Sequence, residues 1–214
     1  MKKVDRPRPE VRAILPFSQE EVKKLFLSIE RSVVYSRKGK RDSSHRLKDY
    51  WRNRAIMLIL LDTGIRASEL CGLRFVDFIG GTRIRVFGKG SKERILPLSQ
   101  STISAIADYV EKERIPSNDS GDFIFVTSTG KKLRADDLYH RIIKIGERIG
   151  IHSNPHRFRH TFAINFLRNG GDIYSLQAML GHSSLEMVKR YLAIARADIE
   201  SAHRKASPVT NWCL

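Results

Sequence analysis

Asn154-Pro155-His156-Arg157-Phe158-Arg159-His160-Thr161 is the stretch from which the rest of the chain can be read. Asn154 offers a side-chain cap, and Pro155 takes the first helical position, where a missing N–H costs nothing, so a helix starts here. His156 and Arg159 stand three residues apart and project from one face of its first turn. The unpaired N–H groups and positive dipole end of that turn favour an anion. A histidine, an arginine and a helix N-terminus on one spot point to a phosphate site. His156 and His160 also have the i, i+4 spacing of half a zinc site. The glutamate of the metalloprotease motif is missing between them, however, and two arginines there would repel a cation, so no metal is expected.

The residues that follow extend this helix and add two more. Phe158, Phe162 and Phe166 recur at every fourth position and predict a buried face, with Gly170-Gly171 as the stop. Asp172 can cap a short helix that buries Ile173, Leu176, Met179 and Leu180 and breaks at Gly181, leaving His182 in the break. Ser183 with Glu186 forms a capping-box pattern for a last helix carrying Leu185, Val188 and Leu192. Tyr191 lies beside that stripe, where its hydroxyl can turn toward the phosphate site. Taken alone, such a tyrosine reads as core or surface.

The composition favours a polyanionic partner. The 214 residues hold 39 Lys+Arg against 23 Asp+Glu, a formal net charge of +16. A field of that sign suits nucleic acid, with a generally basic soluble surface as the plain alternative. The length fits one domain with a sizeable core. Two cysteines, Cys71 and Cys213, give no disulfide framework and fit a reducing cytoplasm; Cys71 reads as core. No signal peptide or membrane span is evident, the run Ile56–Leu61 being far too short.

Upstream, residues 1–13 read as an extended basic linker. Ser18 and Glu21 form a capping box for a helix with Val22, Leu25, Phe26 and Ile29 on one face. Ser36–Lys48 reads as a polar, basic loop, and Asp49–Leu61 as a helix apolar nearly all round. Thr63-Gly64 interrupts it, and a new helix begins near Arg66, with Glu69 on the same face. Arg83–Phe87 and Arg94–Pro97 alternate like the strands of a hairpin around a basic, glycine-rich turn. Lys89 and Lys92 in that turn are by themselves ordinary turn lysines. Further helices are expected at Ser99–Arg114 and from Asp136 toward Gly150. Between them lie a polar loop at Pro116–Gly121 and a short strand at Phe123–Val126.

Three separated motifs carry a resemblance. His156-x-x-Arg159-His160-Thr161, with Leu180-Gly181-His182-Ser183 and Tyr191 nine residues after His182, resembles the tyrosine recombinase (integrase) family. Thr63-Gly64-Ile65-Arg66-Ala67-Ser68-Glu69-Leu70 resembles its first arginine motif, and Gly88-Lys89-Gly90-Ser91-Lys92-Glu93-Arg94 its β-hairpin lysine motif. The similarity runs from about Leu15 to about Ala195. It implies an α+β fold, mainly helical with a small antiparallel sheet, over a catalytic domain at 14–200. A tail at 201–214, with Trp212 and Leu214, would dock on a neighbouring subunit or pack on its own domain. Most members carry a helical domain ahead of this one, so the chain is expected to be an excised catalytic domain or a naturally short protein.

The resemblance also implies a chemistry. Arg66 and Arg159 clamp two non-bridging oxygens of a DNA phosphodiester, and His182 adds a donor. Tyr191 attacks phosphorus to give a 3′-phosphotyrosyl enzyme and a free 5′-hydroxyl. An unperturbed tyrosine is only about one-thousandth ionised at pH 7, a gap of ~4 kcal/mol, so a base and cationic surroundings are needed. His156 is the candidate base, Lys89 the acid for the leaving oxygen, and Glu69 a support for Arg66 and His156. Lys92, Arg94, Arg157 and His160 are expected to contact DNA. The partner is double-stranded DNA, with a homo-oligomer, a tetramer, assembled on it, and no cofactor is required because the covalent link conserves the phosphodiester energy. The expected function is site-specific recombination serving a mobile element. A type IB topoisomerase-like nicking and rejoining enzyme, or a silent DNA-binding protein of the same fold, are the alternatives.

Overall fold

A computed structural model describes residues 15–30, 47–88, 92–115 and 122–182, together with Leu185, Val188, Tyr191, His203, Ser207 and Val209. Seven helices are assigned among these residues: α1 Gln19–Glu30, α2 Tyr50–Thr63, α3 Ala67–Cys71, α4 Gln100–Lys112, α5 Ala135–Glu147, α6 Pro155–Arg168 and α7 Ile173–Leu180. Three strands, β1 Phe78–Ile79, β2 Arg83–Phe87 and β3 Glu93–Pro97, form one antiparallel sheet in the order β1-β2-β3. The architecture is therefore α+β and mainly helical. None of the described helices is long and apolar enough to cross a membrane.

Local chemistry sets most of these boundaries. The capping box before α1 forms reciprocally, Ser18 N–H donating to Glu21 Oε2 at 2.8 Å and Glu21 N–H to Ser18 Oγ at 3.1 Å. Asn154 caps α6 by accepting from Arg157 N–H at 2.9 Å, and Asp172 caps α7 by accepting from Tyr174 and Ser175. Helix α2 occupies the centre, packed against α4 and α6. Ala55, Ile56, Met57, Ile59 and Leu60 lose all solvent contact, each large side chain contributing roughly 1.5–3 kcal/mol of burial. Even its polar Arg52 is buried, donating to Val126 O at 2.7 Å and pairing with Asp49. Cys71 belongs to the same core, and burial pushes its thiol up to about 12.

Two local expectations need correction. Phe123–Val126 is not a strand; it makes only isolated bridges, Arg74 with Phe123 and Val126 with Lys132. Ile124 N–H donates to Leu73 O and Phe125 O accepts from Leu133 N–H, but side chains take the other groups a ladder would use. Arg114 donates to the carbonyls of Phe123 and Ile124, Arg52 to that of Val126, and the Tyr109 hydroxyl accepts from Val126 N–H. Conversely, β1 was not foreseen, because two residues are too few to show an alternation. The linker at 1–13, the loop from Ser36 through residue 46, Lys89, the loop at 116–121, the Ser183–Glu186 capping box, Leu192 and the tail containing Trp212 and Leu214 lie outside the described residues.

Gly64 decides how closely the helices meet. It caps α2 with a left-handed φ of 61°, and its N–H reaches Leu60 O at 3.1 Å. A Cβ there would lie 2.5 Å from Phe162 Cδ1 and 2.8 Å from Leu180 Cδ2, so this turn packs directly on α6 and α7. Gly64→Ala adds backbone strain to overpacking and is expected to cost about 2–4 kcal/mol. Urea unfolding measures it, and a loss under about 0.5 kcal/mol would contradict this account of the turn.

Candidate active site

The sequence places Arg159 on the inward face of α6, one turn after the cap, and burial makes its hydrogen bonds obligatory. Only 5% of the residue is exposed. Nη1 donates to Gly64 O at 2.6 Å, and Nη2 to Leu180 O at 2.7 Å and to His182 Nε2 at 2.8 Å. Burial first, and Arg66 second, lower its pKa to about 10, which leaves the guanidinium charged at neutral pH. Because a charged guanidinium only donates, His182 Nε2 must accept, and the proton sits on Nδ1. That Nδ1 is buried with no partner among the described residues. Burial, then the charges of Arg159 and Arg66, depress His182 to about 4, so it is neutral at pH 7.

Arg66 arrives from the other side, at the N-cap of α3. Its N–H donates to Glu69 Oε2 at 3.0 Å and its Nη1 to Glu69 Oε1 at 2.9 Å, while the guanidinium stays 36% exposed. Burial would push the Glu69 carboxyl up, but hydrogen bonds from Arg94 and Arg66 outweigh it and hold the group below the usual range. Arg66, Lys92, Tyr174, Gly181 and His182 line one cleft of about 640 Å³. Tyr191 closes the cluster. Its ring is 7% exposed, stacked 6.3 Å from the His182 ring and edge-on 5.2 Å from the His160 ring. A negative charge on its oxygen would favour the charged form of Arg159.

The structure thus brings together Arg66, Glu69, Arg159, His182 and Tyr191. His156 is exposed on the first turn of α6, and Lys92 is exposed at the cleft. Three residues expected at the DNA surface are placed differently. Arg94, 11% exposed, turns inward to Glu69. Arg157, 12% exposed, bonds to Leu15 O, His152 O and both oxygens of Glu21, and lies over the Phe17 ring. His160 is half-buried against Tyr191, and burial lowers its pKa. Spacing alone missed the two backbone carbonyls that hold Arg159; the glycine breaks at Gly64 and Gly181 were the available signal.

The imidazole environment has a pH consequence. The folded pKa of His182, about 4, lies below its ordinary 6.5, so between these values the unfolded chain binds more protons. Stability from the neutral ring is complete above 6.5 and is lost as the pH falls toward 4, with His160 adding the same sign. Tm should fall across that window, and His182→Gln should flatten the fall; an unchanged slope would contradict the buried neutral imidazole.

The geometry has counterparts. The sequence pattern of the phage integrase family matches residues 19–197. Tyrosine recombinase XerC of Oceanobacillus iheyensis is 35% identical over 90% of this chain and 61% of its own length. Tyrosine recombinase XerA of Pyrococcus furiosus is 32% identical over 95% of this chain and 66% of its own. The chain thus spans just under two thirds of these curated relatives. A crystal structure of XerA recombinase superposes with a TM-score of 0.71 at 26% identity, covering 91% of this chain and 65% of that one. The catalytic domain of bacteriophage HP1 integrase shares the fold, with a TM-score of 0.61, 24% identity, and coverage of 92% and 96%. With the matched pattern spanning most of its length, this chain belongs to the phage integrase family.

Proposed function

We propose that this chain is the catalytic part of a site-specific DNA recombinase that cleaves and rejoins strands through a 3′-phosphotyrosyl intermediate. The observation that carries the reading is the buried, charged Arg159 beside the Tyr191 ring, with Arg66 and His182 at the same cleft. A relative supports the substrate class: a XerH site-specific recombinase, bound to a palindromic difH substrate in a post-cleavage complex, superposes at TM-score 0.67 with 27% identity, covering 88% of this chain and 52% of that one.

Each residue then has a defined task. Arg159 has five N–H groups, of which Gly64 O, Leu180 O and His182 Nε2 occupy three. One Nη1–H and the Nε–H remain, and either can donate to a phosphate oxygen. Arg66, fixed by Glu69 but open to the cleft, neutralises the second non-bridging oxygen. His182 adds its Nδ1–H. The Tyr191 oxygen forms the bond to phosphorus while the bond from phosphorus to the 5′-oxygen breaks. The phenol proton leaves to a base, for which His156 is our candidate, and Lys89 protonates the departing 5′-oxygen. Attack by a 5′-hydroxyl reverses these steps and reseals the strand. Lys92 provides a phosphate contact at the cleft, and the protein works as a homo-oligomer, a tetramer, on duplex DNA.

Tyr191→Phe tests this directly. Removing one hydroxyl leaves the ring packing and both arginines in place, so the variant should bind duplex DNA with unchanged affinity and the same steep fall of log K with log salt. It should form no covalent adduct on a suicide duplex that traps the cleaved strand. A persistent adduct, or salt-independent binding by the parent protein, would contradict the proposal.

A further inference from the structure

Arg94 was expected at the DNA surface, and its side chain is instead engaged inside the protein. It sits on β3, two residues beyond Lys92, yet its side chain runs inward. Nη1 and Nη2 grip the two Glu69 oxygens at 3.0 and 2.6 Å, the paired geometry that suits a guanidinium and a carboxylate. The remaining Nε–H donates to Met179 O at 2.7 Å, on the last turn of α7. Three elements therefore meet on one guanidinium: the hairpin, the start of α3 through Glu69, and the end of α7.

The fit is close. A Cβ on Gly181 would lie 3.2 Å from Arg94 Nη1, so the turn that carries His182 rests on the guanidinium. A Cβ on Gly88 would lie 3.6 Å from both Arg94 Nη1 and Glu69 Oε1, so the base of the Lys89 turn faces the same pair. Glu69 meanwhile holds the N–H and Nη1 of Arg66. A lysine at position 94 keeps the charge but loses the two-point grip and the fixed third donor.

We propose that Arg94 is a positioning residue for strand cleavage, acting through Glu69 on Arg66 and through the Met179 carbonyl on the turn that carries His182. This rests on the recombinase reading above. It predicts that Arg94 changes reach the rate of phosphotyrosyl formation at saturating protein and leave DNA affinity alone. An outward arginine contacting phosphate would do the reverse.

The test is single-turnover adduct formation on a suicide duplex, with affinity and salt slope measured on the same protein, at a temperature where Tm shows each variant folded. Arg94→Lys is expected to slow the saturated rate roughly a hundredfold, the scale of an ångström-level misplacement, with affinity and salt slope unchanged. Adding Arg94→Met to Glu69→Gln should slow cleavage less than Arg94→Met does alone, because one of the two routes runs through the carboxylate. If Arg94→Met by itself does not fold, Arg94→Lys added to Glu69→Gln is compared with Arg94→Lys alone in the same way. A wild-type rate in folded Arg94→Lys overturns the inference, as does a purely multiplicative effect with Glu69→Gln. A weaker affinity with a shallower salt slope and an intact saturated rate also overturns it, in favour of direct phosphate contact. In all three cases the wild-type adduct leaves the recombinase reading standing; wild-type protein that forms no adduct removes both.

Discussion

The burial of the Arg159 charge is the constraint on which the rest of the site depends. Taking a guanidinium out of water carries a penalty of several kcal/mol unless fixed acceptors replace the lost hydration. Here those acceptors are two main-chain carbonyls and one imidazole nitrogen. Both carbonyls belong to places where a helix stops, Gly64 after α2 and Leu180 at the end of α7. The helix breaks therefore supply the oxygens that orient the arginine. The same approach requires a residue without a side chain at Gly64, since Phe162 and Leu180 already fill that space.

A hierarchy of charge follows from this centre. Arg159 has three of its five N–H groups committed inside, Arg66 is half committed and opens to the cleft, and Arg94 pairs with the carboxylate that fixes Arg66. One buried acid, Glu69, thus pairs with two of three converging cations and leaves a net positive charge. Burial first, and the excess positive charge second, keep His182 neutral beside the Tyr191 ring, a setting suited to an anionic phosphate and a developing phenolate. Geometry and electrostatics here have one origin, the packing of α3, β3, α6 and α7.

Much of this was legible in the sequence, for identifiable reasons. Asn154-Pro155, Ser18 with Glu21, and Asp172 encode helix starts in a few adjacent residues, and the structure forms each cap. The direction of a basic side chain is not encoded so locally. Arg94 finds Glu69 across 25 positions and Arg157 finds Glu21 across 136, so both looked like free cations when read in place. The half-buried place of His160 is equally non-local, because its ring meets Tyr191 from a distant part of the chain. The Phe123–Val126 run failed differently: arginine side chains and a tyrosine hydroxyl took hydrogen bonds that periodicity had assigned to a strand neighbour.

The central claim is that Tyr191 is the atom donor of the covalent link, selected by its place beside Arg159 and His182. Tyr174 is a competitor that lines the cleft shared by Arg66 and His182, at 69% exposure and therefore far more accessible. Proteolysis of the trapped protein–DNA adduct, followed by mass spectrometry of the nucleotide-bearing peptide, distinguishes them without altering any residue. The account predicts a phosphotyrosyl bond on Tyr191. A nucleotide on Tyr174, or on any other side chain, would contradict it.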